Sequence, residues 1–224
     1  MLIKQTTLDF LVQLNRNNNK NWFDTNRSNY EFIKKDTRKF FEQVFSQLKE
    51  IDDIEHMQIF RINRDIRFSK DKSPYKNHLS VQFRRRKPEL RGGYYLHLEP
   101  GKSFLAGGFW SPEKEDTLRI RQEFEMDASN MREIMNNGAF KIHFNSICGD
   151  ALATAPKGFD KNHADIDLIR MKNWYFEAYF SDKEILADNF AQTAVDRFAL
   201  LLPFFNYMSD VLTTDLNGES ILNQ

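Results

Sequence analysis

Apolar residues recur at every third or fourth position from Tyr30 to Ile51, then at every second position from Met57 to Phe68. The period thus changes from helix to strand near residue 55. The first stripe is Tyr30, Ile33, Thr37, Phe40, Phe41, Val44, Phe45, Leu48 and Ile51. It predicts a long helix of about six turns. A shorter helix is predicted over 6–16, capped by Thr6 or Thr7, with Leu8, Leu11 and Val12 on one face. The Asn-rich run at 15–21 reads as a turn between helices. Alternation predicts strands at 57–68 and 78–86, then a hairpin of 92–100 and 103–110 across Pro100-Gly101.

The second half returns to helix. Ser111 and Pro112 read as the cap and first position of one helix, and Asp127 as the cap of another that stops at Gly138. Residues 139–162 read mostly as loop, 164–170 as a short helix and 172–180 as a fifth strand. Ser181 and Glu184 spell a capping box. A last helix is predicted from Asp188 to Leu212, burying Phe190, Ala194, Phe198, Leu201 and Leu202, kinked by Pro203 and followed by a loosely held end. There is no internal repeat, low-complexity tract or linker. This order predicts a single α+β domain over 1–224, with a mainly antiparallel sheet of about five strands and helices packed on one face. Its expected parts are a helical region at 1–55, a sheet at 57–110 plus 172–180, and C-terminal helices at 181–212.

With 41% hydrophobic residues, 21 of them Phe, the 224-residue chain can bury a sizeable core. The longest apolar run, residues 198–205, is far short of the roughly 20 residues a membrane helix needs. The start of the chain lacks a basic region followed by an apolar stretch. The one cysteine, Cys148, excludes an intrachain disulfide and has no base beside it in sequence. A reducing, cytoplasmic setting is the expectation.

Net charge is zero, but the average conceals a split. Residues 61–91 hold eleven Lys/Arg against three Asp/Glu, a local +8 set in a chain that is −8 elsewhere. The densest part is 67–78, "RFSKDKSPYKNH". Pro74, Asp71 and Ser73 would order this loop. Like charges about 6 Å apart repel by roughly 1–3 kcal/mol per pair. Only Asp65 and Asp71 lie inside the cluster to offset this. The remaining negative charge would come either from the acidic helix after Pro112 or from an external anion.

Strand alternation would place Arg61, Asp65 and Arg67 on a polar face with Tyr95, His97 and Glu99, opposite an apolar face of Phe60, Ile62, Ile66 and Phe68. Such a polar face is either a site or simply the wet side of the sheet. Gly107 and Gly108 inside a strand imply a bulge or a close approach.

The stretch "FRINRDIRFSKDKSPYKNHLSVQFR" resembles the signature of a bacterial family catalogued as domain of unknown function 2461. The likeness continues in "GGYYLHLEPGKSFLAGGFW", in "NNNKNWFDTNRSNYE" and in "PKGFDKNHADIDLIRMKNW". It covers nearly the whole chain, departing at Ala164, where similar proteins more often carry proline. The resemblance implies a single cytoplasmic α+β domain and no particular reaction. It further implies that Trp22, Arg61, Arg64, Arg67, Lys70, Asp71, Lys72, Tyr75, Lys76, His78, His97, Arg170 and Lys172 belong to the pattern. Arg170 and Lys172 would extend the basic set from a remote part of the chain.

The expected function is therefore a basic pocket for a small anionic ligand bearing phosphate or carboxylate, with catalysis left open. Arg61, Arg64, Arg67, Lys70, Lys72, Tyr75, Lys76, His78, Arg170 and Lys172 are the candidate binding residues. His97, with Glu99 to orient it, is the candidate acid/base pair; His78 is the other histidine and Asp65 the other orienting acid. No metal set is expected, since the spacing of His78, His97, Glu99 and His163 matches no standard zinc pattern. The sequence names no cofactor and no oligomeric state. The alternative is a nucleic-acid-binding or protein-interaction module, for which the basic run 84–91 followed by Tyr94 and Tyr95 is the feature.

Overall fold

The structure, a computed structural model, describes residues 1–222. In chain order the elements are α1 (Gln5–Arg16), α2 (Lys20–Thr25), α3 (Arg27–Leu48), β1 (Ile54–Ile59), β2 (Leu79–Arg85), β3 (Gly93–Leu98) and β4 (Ser103–Phe109). Then come α4 (Lys114–Met126), α5 (Ser129–Asn136), α6 (Gly138–His143), α7 (Ile166–Ile169), β5 (Trp174–Phe180), α8 (Asp182–Ile185), α9 (Phe190–Ala199) and α10 (Leu202–Thr213). The strands form one antiparallel sheet in the order β1-β2-β3-β4-β5, and the fold is α+β. The chain divides into two compact units. The first holds Met1–Phe83, Tyr95–Leu105 and Tyr179–Asp196; the second holds Arg84–Tyr94, Ala106–Ala178 and the chain from Arg197 onward.

In the first unit, α3 buries Tyr30, Ile33, Thr37, Phe40, Phe41, Val44 and Leu48 of the predicted stripe, while Phe45 is half-buried and Ile51, beyond the helix end, is exposed. Phe40 stacks on Phe190 at 5.4 Å, and Phe45 on Phe83 at 6.3 Å. Each fully buried Phe contributes about 1.5–3 kcal/mol. In the second unit, Tyr94 meets Phe198 and Phe205 edge-on at 5.0 and 4.7 Å. Phe176 does the same with Phe140 and Phe204. At Gly107 an added Cβ would lie 2.4 Å from Leu201 Cδ1, and at Gly108 2.3 Å from the Trp174 carbonyl oxygen. Close approach by neighbouring chain, rather than by a ligand, is thus what these two glycines serve.

Several boundaries differ from expectation. β1 covers 54–59, not 57–68, and residues 60–78 run irregularly with a single antiparallel bridge, Asn63 to Tyr75. The expected apolar face breaks down with it: Ile62 is buried, but Phe68 is 96% exposed. The cap of α1 is Lys4, without a side-chain bond; Thr7 is buried instead. Helix α4 starts after Glu113, with Ser111 at positive φ outside it. Asn137 caps α6 where loop was expected. Pro203 sits in the first turn of α10 and separates it from α9, so the last helix is broken rather than kinked. The capping box at Ser181 and Glu184 is present. Near the end of the described chain Arg119 donates to the carbonyls of Thr214 and Asp215, and residues 216–222 beyond them are exposed.

Candidate functional site

The basic loop largely balances itself. Arg64 pairs with Asp71, and Arg67 donates to both carboxylate oxygens of Asp65 at 2.6–3.2 Å. The Asp65 carboxyl is lowered below its usual range, first by the Arg67 side chain and then by the Arg67 backbone N–H. Asp71 accepts from the Ser73 hydroxyl (2.7 Å) and backbone N–H (2.9 Å). Those bonds, and then Arg64, hold its carboxyl down to about 2. Lys72 donates to the Ile66 carbonyl at 2.9 Å, while Lys70 is exposed and has no ion pair with any described residue.

Arg61 behaves differently. It forms no hydrogen bond or ion pair with any described residue, and it lines a cavity of about 340 Å³ in the first unit. The opposite wall comes from α3, which brings Arg27, Lys34 and Arg38, with Glu31 as the one acid. These helix cations were missed by sequence reasoning. Their spacing of seven and four residues reads as a solvated helix face, and nothing local shows what lies across from it. They have partners of their own: Arg27 with Asp24 at 2.6 Å, Lys34 with Glu31 at 3.2 Å, Arg38 with Glu42 at 3.9 Å. Aromatic side chains form much of the rest of the wall, beside Ile59, Ile62, Asn63 and Leu79. Phe23 stacks on Tyr75 at 4.0 Å, Arg27 lies over Phe23, and Lys34 lies over Tyr30. Burial, and then Glu31, pushes the Tyr30 phenol up to about 12, so it stays a neutral donor. At the cavity's edge Thr37 is 3% exposed, and its hydroxyl has no partner among the described residues.

Tyr75 is fixed by Asn18. The Asn18 amide donates to the Tyr75 carbonyl (2.9 Å) and accepts from the Tyr75 N–H (3.1 Å), as a neighbouring strand would. That gives the Asn-rich run a physical role. Trp22, by contrast, packs against Phe10 at 5.7 Å in the helical part.

A second cluster in the first unit is built on β3 and the turn after it. Alternation puts Tyr95, His97 and Glu99 on one face, as expected. His97 Nδ1 lies 3.1 Å from the Tyr95 hydroxyl, and Nε2 lies 3.0 Å from Glu99 Oε2. Asn77 donates to Glu99 Oε1 at 2.9 Å. The His78 ring sits 4.0 Å from that of His97. Burial, then His97, Lys76 and Arg64, pushes the His78 imidazole down to about 3. The Tyr95 phenol is raised, mainly by burial, against a lowering hydrogen bond with Ser80. Lys76 is lowered by burial and then by Arg61, and its ammonium lies 5.3 Å from the Phe60 ring centroid.

The structure therefore brings Arg61 and Tyr75 together at the cavity, and His78, His97 and Glu99 together in the cluster. Arg64, Arg67, Lys70 and Lys72 line neither. Arg170 and Lys172 belong to the second unit, where Arg170 Nε donates to the Leu152 carbonyl at 2.6 Å and the Lys172 N–H to that of Asp150 at 2.8 Å. His163 is engaged there too, bonding the Glu125 carbonyl and the Asp165 N–H. Burial raises the Cys148 thiol, with Glu177 adding to the shift. One cavity of the second unit, about 710 Å³, carries Glu133 and Asp210 and no cation among its described residues.

Comparison with known proteins agrees with the motifs. The family model of a conserved hypothetical protein, DUF2461, matches residues 6–207. The chain belongs to this family. No curated protein and no solved structure matches it. No helix among the described residues is long and apolar enough to cross a membrane.

Proposed function

We propose that this DUF2461 protein binds a small anionic ligand with an aromatic or apolar body in the cavity of its first unit. The observation that carries the reading is Arg61, a cation with no hydrogen bond or ion pair among the described residues, in a cavity that also holds Arg27, Lys34 and Arg38. A guanidinium offers two parallel N–H donors to a carboxylate or phosphate. Phe60 and Ile59, part-exposed on the same wall, supply apolar surface for the remainder of the ligand. Glu31 is the one acid on the wall, and it is engaged by Lys34. The nucleic-acid alternative has less support, because Arg85 and Arg91 of the basic run are bonded inside the second unit.

The test is a thermal-shift and calorimetric screen of aromatic carboxylates, sugar phosphates and mononucleotides against wild type and Arg61→Ala. At least one class is expected to stabilise wild type, with affinity at least about tenfold weaker in Arg61→Ala, the loss of a charged hydrogen bond. Stabilisation by none of them, or equal stabilisation of both proteins, overturns the reading.

A further inference from the structure

The cluster of His78, His97 and Glu99 lies apart from the Arg61 cavity wall and has no role in the function proposed above. One ligand atom from each of the three residues can be chosen so that all lie within 4.8 Å of one another. Two imidazoles and a carboxylate are a donor set that zinc-class divalent ions accept, leaving a fourth position open. We propose that His78, His97 and Glu99 form a binding site for a divalent transition-metal ion of the zinc class.

The surroundings resemble a metal site's outer shell more than a chance contact. His97 Nδ1 is held by the Tyr95 hydroxyl, so Nε2 is the nitrogen turned toward Glu99. Glu99 is oriented in the same way: Asn77 binds Oε1, leaving Oε2 on the histidine side. Outer partners that fix a ring and a carboxylate in this manner are what ligating residues need. His97 is 7% exposed and stacks on Phe104 at 4.7 Å, which prevents the ring from turning away. His78 is partly exposed and leaves the side of the site that an ion would enter by. Donors bound at about 2.1 Å in a tetrahedron lie about 3.4 Å apart, so closure by roughly 1–1.5 Å completes the geometry.

Three cations stand nearby and oppose a positive ion; two have another engagement, and the third can withdraw into solvent. Arg64 is paired with Asp71, Lys76 lies over Phe60, and the Lys102 side chain is 77% exposed at 4.0 Å from Glu99. The charge balance also gives the open position a preference. Two neutral imidazoles and one carboxylate leave a divalent ion at +1, so a hydroxide or another anion is the favoured fourth ligand.

The test uses the whole chain, stripped by chelator and dialysed. Zn2+ and Co2+ are titrated in by calorimetry, with Co2+ also followed by its visible absorption. Wild type is expected to take up one ion per chain, with the intense bands of four-coordinate cobalt. His78→Gln, His97→Gln and Glu99→Gln should each weaken binding by about 10–100-fold, while exposed His56→Gln leaves it unchanged. Circular dichroism confirms that each variant folds; Glu99→Gln keeps an oxygen for Asn77 to bond, so it isolates the ligand role from the structural one. Absence of stoichiometric binding in wild type, or retained affinity in folded Glu99→Gln and His78→Gln, overturns the proposal. Neither result depends on the Arg61 ligand, so the two readings fail separately.

Discussion

Arg85 and Arg61 belong to the same basic segment but meet opposite surroundings. Arg85 is 2% exposed; its guanidinium donates to Ser209 Oγ, Asn206 Oδ1 and the Arg91 carbonyl, and it lies over the Phe205 ring. Arg61 is exposed, lines a cavity and bonds to no described residue. Burial forces a cation to be fully satisfied by its own unit, because a buried unpaired charge costs several kcal/mol. A half-solvated cleft imposes no such demand. Between these extremes lie Arg64 and Arg67, solvated and neutralised by Asp71 and Asp65. Excess positive charge in a sequence therefore does not by itself mark a site; what matters is which cation the fold leaves unsatisfied in a concave place.

The comparison is broken most directly at Arg85. Arg85→Met should lower the unfolding free energy by about 2–4 kcal/mol in urea titration, since several buried acceptors lose their donor together. Arg61→Met should leave stability unchanged or slightly raised, and an equal loss in both variants would abolish the distinction. Acid gives a smaller effect. The Asp71 carboxyl is held down to about 2. Its stabilising contribution is thus complete above about pH 4 and fades as pH falls toward 2. Protease susceptibility of the 64–73 loop should rise over that window in wild type, and Asp71→Asn should show the raised susceptibility at neutral pH. The Arg85 bonds to Ser209, Asn206 and the Arg91 carbonyl involve no carboxyl, so they should contribute no such step themselves. The smallest effect is expected at Arg67→Ala, where an exposed pair is lost: Tm should stay within measurement error.

The sheet was legible wherever period-two alternation coincided with real pairing. Tyr95, His97 and Glu99 share a face as their spacing requires. The same rule failed at 61–67, which alternates equally well. There the backbone leaves the ladder, because Asp65 and Asp71 turn back on the chain's own N–H groups and arginines. The broken end of the sequence-predicted last helix follows from Pro203, which starts α10 rather than bending a continuous helix. The cavity was half legible. Arg61 was identified, but its partners on α3 lie 23 to 34 positions away and become neighbours only through tertiary structure. The meeting of His78 with His97 was equally hidden, since it depends on where the residue just before β2 lies against β3.

One amide ties together two parts of the first unit that are far apart in sequence. Asn18 and Tyr75 are separated by 57 positions, yet two bonds of a single side chain join them. Closing a chain segment of that length costs entropy that grows with the logarithm of its size. The path of the segment carrying Arg61 is thus tied to the N-terminal helices that present Asn18. Asn18→Ala should therefore loosen the Tyr75 side of the cavity although residue 18 is not part of its lining.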